Sequence, residues 1–152
     1  MQTVAEIGFE QPVTISPEAT LDTALRQLLF NQSAELYVTD EDGRLLGVIP
    51  DYALLKARLA GDWSETTAGQ LCSSRVVCFT PDTACSALLK TFREGQHTRA
   101  AILHDGRLVG TITRTAILQW LIASSEEAPP PVASPKFLQS ANTSRVLCRW
   151  AK

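Results

Sequence analysis

The chain has 152 residues, 45% of them hydrophobic and 20% charged, with a formal net charge of −2. That is the composition of a soluble globular domain with enough length for a core, and no apolar run reaches the roughly 18 residues of a membrane helix. The opening MQTVAEIGFEQP has neither the basic region nor the apolar stretch of a signal peptide, so a cytoplasmic location without membrane partners is expected.

In chain order, PVTI (12–15) reads as a strand. It runs into Ser16-Pro17-Glu18, which reads as a helix start: cap, proline at the first helical position, acid in the first turn. Leu21, Ala24, Leu25, Leu28 and Leu29 recur at helical spacing and predict a buried stripe. ELYVT (35–39) and RLLGVI (44–49) predict a hairpin around DEDG (40–43), with Gly43 supplying a positive φ. Pro50 opens a helix through about residue 60, with Leu54, Leu55 and Leu59 on its apolar side. The turn-rich stretch 61–70 reads as a linker.

The plan then recurs. VVCF (76–79) is a strand, Thr80-Pro81-Asp82 a second cap-like start, and the helix that follows stops at Gly95. RAAIL (99–103) and RLVGTI (107–112) form a hairpin around His104-Asp105-Gly106. Thr113 caps a last helix carrying Ile117, Leu118, Trp120, Leu121 and Ile122. The recurrence is literal in places: DGRLLG (42–47) returns as DGRLVG (105–110), with offsets of 64 early in each unit and 63 around the hexapeptide. Two copies of one βαββα unit, residues 1–60 and 71–123, therefore organise the chain, followed by a Pro-rich, basic tail over 124–152. EEAPPPVASP (126–135) is expected to be extended, and FLQSANTSRVLCRW (137–150) to form a short docked element.

Charge is divided unevenly. Residues 1–127 carry 10 Lys and Arg against 16 Asp and Glu, whereas the tail holds Lys136, Arg145, Arg149 and Lys152 with no acid beyond Glu127. An acidic body argues against nucleic acid as the main partner. Cys72, Cys78, Cys85 and Cys148 have no metal-ligand spacing and read as reduced structural thiols. His97 and His104 stand in no Cys/His cluster, and no metal site is expected.

Two such units, each opening on a strand with Ser/Thr-Pro and closing on DG-x-L-x-G before a helix, resemble a tandem cystathionine-β-synthase (CBS) domain pair, or Bateman module, over residues 3–123. The resemblance implies an α+β fold of two units packed with pseudo-twofold symmetry. It also implies clefts that bind AMP, ADP, ATP or S-adenosylmethionine, and a regulatory role. With nothing attached, the module would act alone, through a homodimer or on an enzyme or transporter regulated in trans.

In the family's nucleotide-binding pattern, Gly-apolar-apolar-Ser/Thr-x-x-Asp starts the second helix, where Ser/Thr caps near phosphate and Asp takes the ribose hydroxyls. Here the copies read Gly47-Val48-Ile49-Pro50-Asp51-Tyr52-Ala53 and Gly110-Thr111-Ile112-Thr113-Arg114-Thr115-Ala116. Both put Ala at the ribose position, and the first puts Pro at the cap. The first site, with Thr14, Pro50 and Asp51, is thus expected to suit nucleotides poorly. The second keeps Thr113 as cap, Arg114 for a phosphate oxygen, and Thr80, Arg99 and Thr111 along the cleft.

The expected function is therefore a non-catalytic regulatory or interaction module, dimeric through its helical faces, with weak or no adenine-nucleotide binding. A working nucleotide sensor using the second site is the alternative. No Ser/His/Asp set, Walker loop or GxGxxG is present, so catalytic residues are not expected. A Cys85–His97 thiol dyad is the remote enzymatic reading.

Overall fold

The computed structural model describes residues 1–125, of which 1–120 form one compact unit. The expectations for 126–135 and 137–150 lie outside the described residues. The order is α1 (Val4–Ile7), β1 (Thr14–Ile15), α2 (Leu21–Phe30), β2 (Glu35–Thr39), β3 (Leu45–Pro50) and α3 (Asp51–Ala60). It recurs as α4 (Ala68–Leu71), β4 (Cys78–Phe79), α5 (Cys85–Arg93), β5 (Arg99–His104), β6 (Arg107–Thr113) and α6 (Arg114–Ser124). Two three-stranded sheets result, β1-β2-β3 and β4-β5-β6, each with its first pair parallel and its second antiparallel.

The hairpins form where the sequence puts them. Asp40 Oδ1 accepts from the backbone N–H groups of Asp42 and Arg44, both at 2.9 Å, and Gly43 sits at φ +79°. The second turn is tighter. His104 pairs with Arg107 across Asp105-Gly106, whose positive φ values of 50° and 77° match the twist of the strands.

The first helices of the two units start later than the sequence predicts. Ser16 and Thr80 do not cap them; α2 is capped by Thr20, whose hydroxyl accepts from Thr23 N, and α5 follows Ala84. The carbonyls in between are taken from outside the unit. Gly69 N donates to Pro17 O at 2.8 Å and Ala68 N to Ala19 O at 2.9 Å; Ala5 N donates to Pro81 O and Val4 N to Thr83 O, both at 2.9 Å. A segment paired that way cannot also turn helical.

Those bonds reveal an exchange. The short helix that opens each repeat packs on the other repeat. Val4 and Ile7 join the core of Leu88, Phe92, Ala100, Ile102, Ile112 and Ile117, while Ala68 and Leu71 join that of Ile15, Leu21, Leu28, Leu36, Val38 and Ile49. The expected linker is thus structural: Trp63 is buried in the first core and donates Nε1–H to Asp22 at 2.9 Å. The exchange continues where Glu10 bridges Thr111 and Ser73 bridges Val48, each through two backbone bonds. At the pseudo-twofold axis equivalent residues meet each other, Arg44 with Arg107 and Glu35 with Arg99.

Leu21, Ala24, Leu28 and Leu54 are buried as predicted, but Leu29, Leu55 and Leu59 are 64%, 61% and 80% exposed. The sheet covers one face of each helix only, and these leucines lie off it. With Phe30 and Tyr52 they leave an apolar surface on α2 and α3.

Candidate functional site

A cavity of about 270 Å³ opens between the repeats, lined by β2 and the start of α3 on one side and by the segments leading into β4 and β5 on the other. Glu35, Tyr37, Val48, Pro50 and Tyr52 come from the first repeat, and Arg75, Val76, Val77, Gln96, His97, Thr98 and Arg99 from the second. The backbone frame explains the convergence. Tyr37 N donates to Val13 O and its counterpart Ala101 N to Val77 O, which fixes the strand edges; Arg114 N donates to Thr98 O and Asp51 N to Ala34 O, which anchors the helix starts.

Within the cleft the polar groups are linked. Tyr37 donates its hydroxyl to Glu35 Oε1 at 2.7 Å and lies 3.1 Å from Thr111 Oγ1; Thr111 in turn donates to Ala100 O at 3.1 Å. Arg99 Nε stands 3.6 Å from Glu35 Oε1, with both side chains about one-fifth exposed. Burial pushes the Tyr37 phenol far above its ordinary range, against a smaller opposing effect of the Thr111 hydrogen bond. Tyr37 is therefore a fixed neutral donor.

The predicted site residues scatter. Arg99 and Pro50 line the cavity. Thr111 does not offer its hydroxyl to a ligand: it is fully buried and its hydrogen bonds are used inside the protein. Thr113 caps α6, accepting from Ala116 N at 3.1 Å, and Arg114 Nε donates to His97 O at 3.1 Å. Thr80 is held in a turn by Thr83. Thr14 lines a separate acidic hollow with Glu18, Asp40, Glu41 and Asp42. Asp51 lies in the apolar groove between α2 and α3, with Oδ1 accepting from Tyr52 N.

The open cleft thus lies beside the first copy's helix start, on the side that the sequence made the poorer one. Phe9 and Cys72 occupy equivalent places in the two repeats. The Phe9 ring lies directly on Gly110, and a Cβ added at Gly47 would come within 2.8 Å of Cys72 Sγ and 2.7 Å of Ser73 O, so neither position has room for a side chain. Arg75, missed from sequence, falls in a stretch one residue longer than its counterpart: Glu10 to Val13 is three steps, Ser73 to Val77 four. Only that shift of repeat offset could have revealed it.

Cys85 is buried at the start of α5, where desolvation, with a smaller contribution from Glu6, pushes its thiol up, and it does not line the cleft that His97 borders. Among the described residues no group of three or more His, Cys, Asp or Glu could hold a metal ion, and no helix is long and apolar enough to cross a membrane.

Two reciprocally packed αβαββα repeats with a cleft between them define a paired-repeat fold. The CBS domain pattern matches residues 4–60 and again 68–123, and the chain belongs to that family. A CBS domain-containing protein of Dictyostelium discoideum is 30% identical over 141 residues, covering 84% of this chain and 96% of the relative. Among solved structures, CBSX2 in complex with AMP is 23% identical with a TM-score of 0.69, covering 81% of this chain and 98% of its own. The CBS domain pair of protein MJ0100, in complex with 5′-methylthioadenosine and S-adenosyl-L-methionine, is 21% identical with a TM-score of 0.67, covering 82% and 99%.

Proposed function

We propose that this chain is a non-catalytic regulatory module in which a small anionic ligand enters the cleft between the repeats and biases their packing. The observation that carries the reading is the cavity itself: groups from both repeats line it, including two arginines, Arg75 and Arg99, against one carboxylate, Glu35. A ligand touching both repeats binds one relative arrangement better than another, which is what a sensor needs. A volume of about 270 Å³ suits a mononucleotide rather than a dinucleotide. AMP, ADP, ATP and S-adenosylmethionine are the first ligands to try, since adenosine compounds occupy the similar structures of CBSX2 and MJ0100. Affinity should be modest, because Ala53 and Ala116 stand where the family's pattern has the ribose Asp.

The response would pass to a second copy of this chain docked on the apolar α2–α3 face, and onward to an enzyme or transporter regulated in trans. The repeats themselves argue for that face: Leu29 and Phe30 of α2 are matched on the second repeat by the charged Arg93 and Glu94.

Thermal melting with each ligand at millimolar concentration tests the reading. Saturation at about 100 times the dissociation constant adds about 2.7 kcal/mol and should raise the midpoint by several degrees. Arg75→Ala should abolish the rise, and Thr80→Ala, outside the cleft, should keep it. No rise with any of the four would leave a module that works through protein contacts alone.

A further inference from the structure

We infer that Glu35 is a hydroxyl-recognising residue, so that the cleft selects a phosphorylated ligand bearing free sugar hydroxyls over an anion without them. The inference rests on the reading of the cleft as a binding site and names the ligand chemistry that this site would take.

Glu35 lines the cavity at the start of β2. Both its contacts fall on one oxygen: the Tyr37 hydroxyl and Arg99 Nε both address Oε1. Oε2 has no partner among the described residues, although the side chain is only 20% exposed. A carboxylate held in place at one oxygen and open at the other is a preorganised acceptor. What donates to it is set by its neighbours. A second cation would meet the Arg99 guanidinium across the same carboxylate, and a bare anion would meet the carboxylate's own charge. A neutral O–H donor avoids both penalties and completes the acceptor.

The other cleft groups supply the remaining half of the ligand. Arg99 uses only Nε toward Glu35, leaving its terminal N–H groups free to donate, and the Arg75 side chain has no protein partner among the described residues. Val48, Pro50, Val76 and Val77 add apolar wall. Donors for an anion, an acceptor for hydroxyls and an apolar wall within about 270 Å³ fit a sugar phosphate or a mononucleotide.

Titration calorimetry on the full chain tests this with AMP, 2′-deoxy-AMP, ribose 5-phosphate and inorganic phosphate. AMP should bind at least about tenfold more tightly than 2′-deoxy-AMP, the worth of one charge-assisted hydrogen bond. Glu35→Gln should bring the two to within about twofold, while Tyr37→Phe should weaken the preference without erasing it. Ribose 5-phosphate binding as well as AMP, with the same loss in Glu35→Gln, would support the inference with a free sugar phosphate as the ligand. Equal affinity of wild type for AMP and 2′-deoxy-AMP, or for phosphate and AMP, would overturn it while leaving an anion-binding cleft. No binding of any probe would remove both the inference and the reading beneath it.

Discussion

Tyr37 shows how a single side chain ties the repeats together. Its ring is buried in the first repeat and its hydroxyl reaches Thr111 in the second. Burial raises the phenol above its ordinary value of 10.0, so the folded state keeps a proton that the unfolded chain releases above that pH. The folded state then binds more protons than the unfolded, and stability present below pH 10 is lost as pH rises. One such group contributes a slope of about 1.4 kcal/mol per pH unit. Denaturant titrations at pH 10 and pH 11 should show a fall in stability that is smaller by about 1 kcal/mol in Tyr37→Phe, because the unfolded phenol is only half ionised at the lower pH. An unchanged slope would mean that the phenol ionises freely in place. The same scale shows where sequence reading of the site reached its limit. Arg99 and Pro50 were named from the family's pattern, Pro50 as a departure from it, and both line the cavity. Glu35, Tyr37 and Arg75 were not, since their roles depend on which strand edges the other repeat brings opposite them.

Between one repeat and the other, the elements differ most where their opening segments cross. Gly47 faces the backbone carbonyl of Ser73, in a segment locked to Val48 by two hydrogen bonds, so an added methyl has nowhere to go. Gly110 faces only a side chain, the ring of Phe9, which is 37% exposed and can turn outward. Gly47→Ala should therefore cost about 1–3 kcal/mol, and Gly110→Ala clearly less, as read from denaturant midpoints. Equal costs would show that both crossings are equally rigid. The hairpins and the Thr113 cap were legible, being fixed by local turn chemistry and by the period of apolar residues. The starts of α2 and α5 were not. Ser16 and Thr80 have the right local chemistry for caps, but Pro17, Ala19, Pro81 and Thr83 give their carbonyls to segments about 50 or 80 residues away in sequence. A cap motif carries no information about such competition.

Taken whole, both repeats expose apolar side chains on their last helix, Leu55 and Leu59 on α3 and Leu118 and Ile122 on α6, but only the first adds Leu29 and Phe30 where the second has Arg93 and Glu94. If a second copy covers α2 and α3, Leu55→Asp with Leu59→Asp should give a monomer by light scattering at tens of micromolar, and Arg93→Ala with Glu94→Ala should leave the dimer intact. A wild-type monomer at that concentration would discard the homodimer. The exchanged opening helices carry a different consequence, for the order in which the chain can take shape during its synthesis. The first repeat gains Trp63, Ala68 and Leu71 within about a dozen residues of the end of α3, whereas Val4 and Ile7 wait for a core that ends at Ile117. Domains ordinarily fold one after another as they leave the ribosome. Here the first core can close once Ala68 and Leu71 are made, whereas the opening helix, the first part synthesised, finds its partners last.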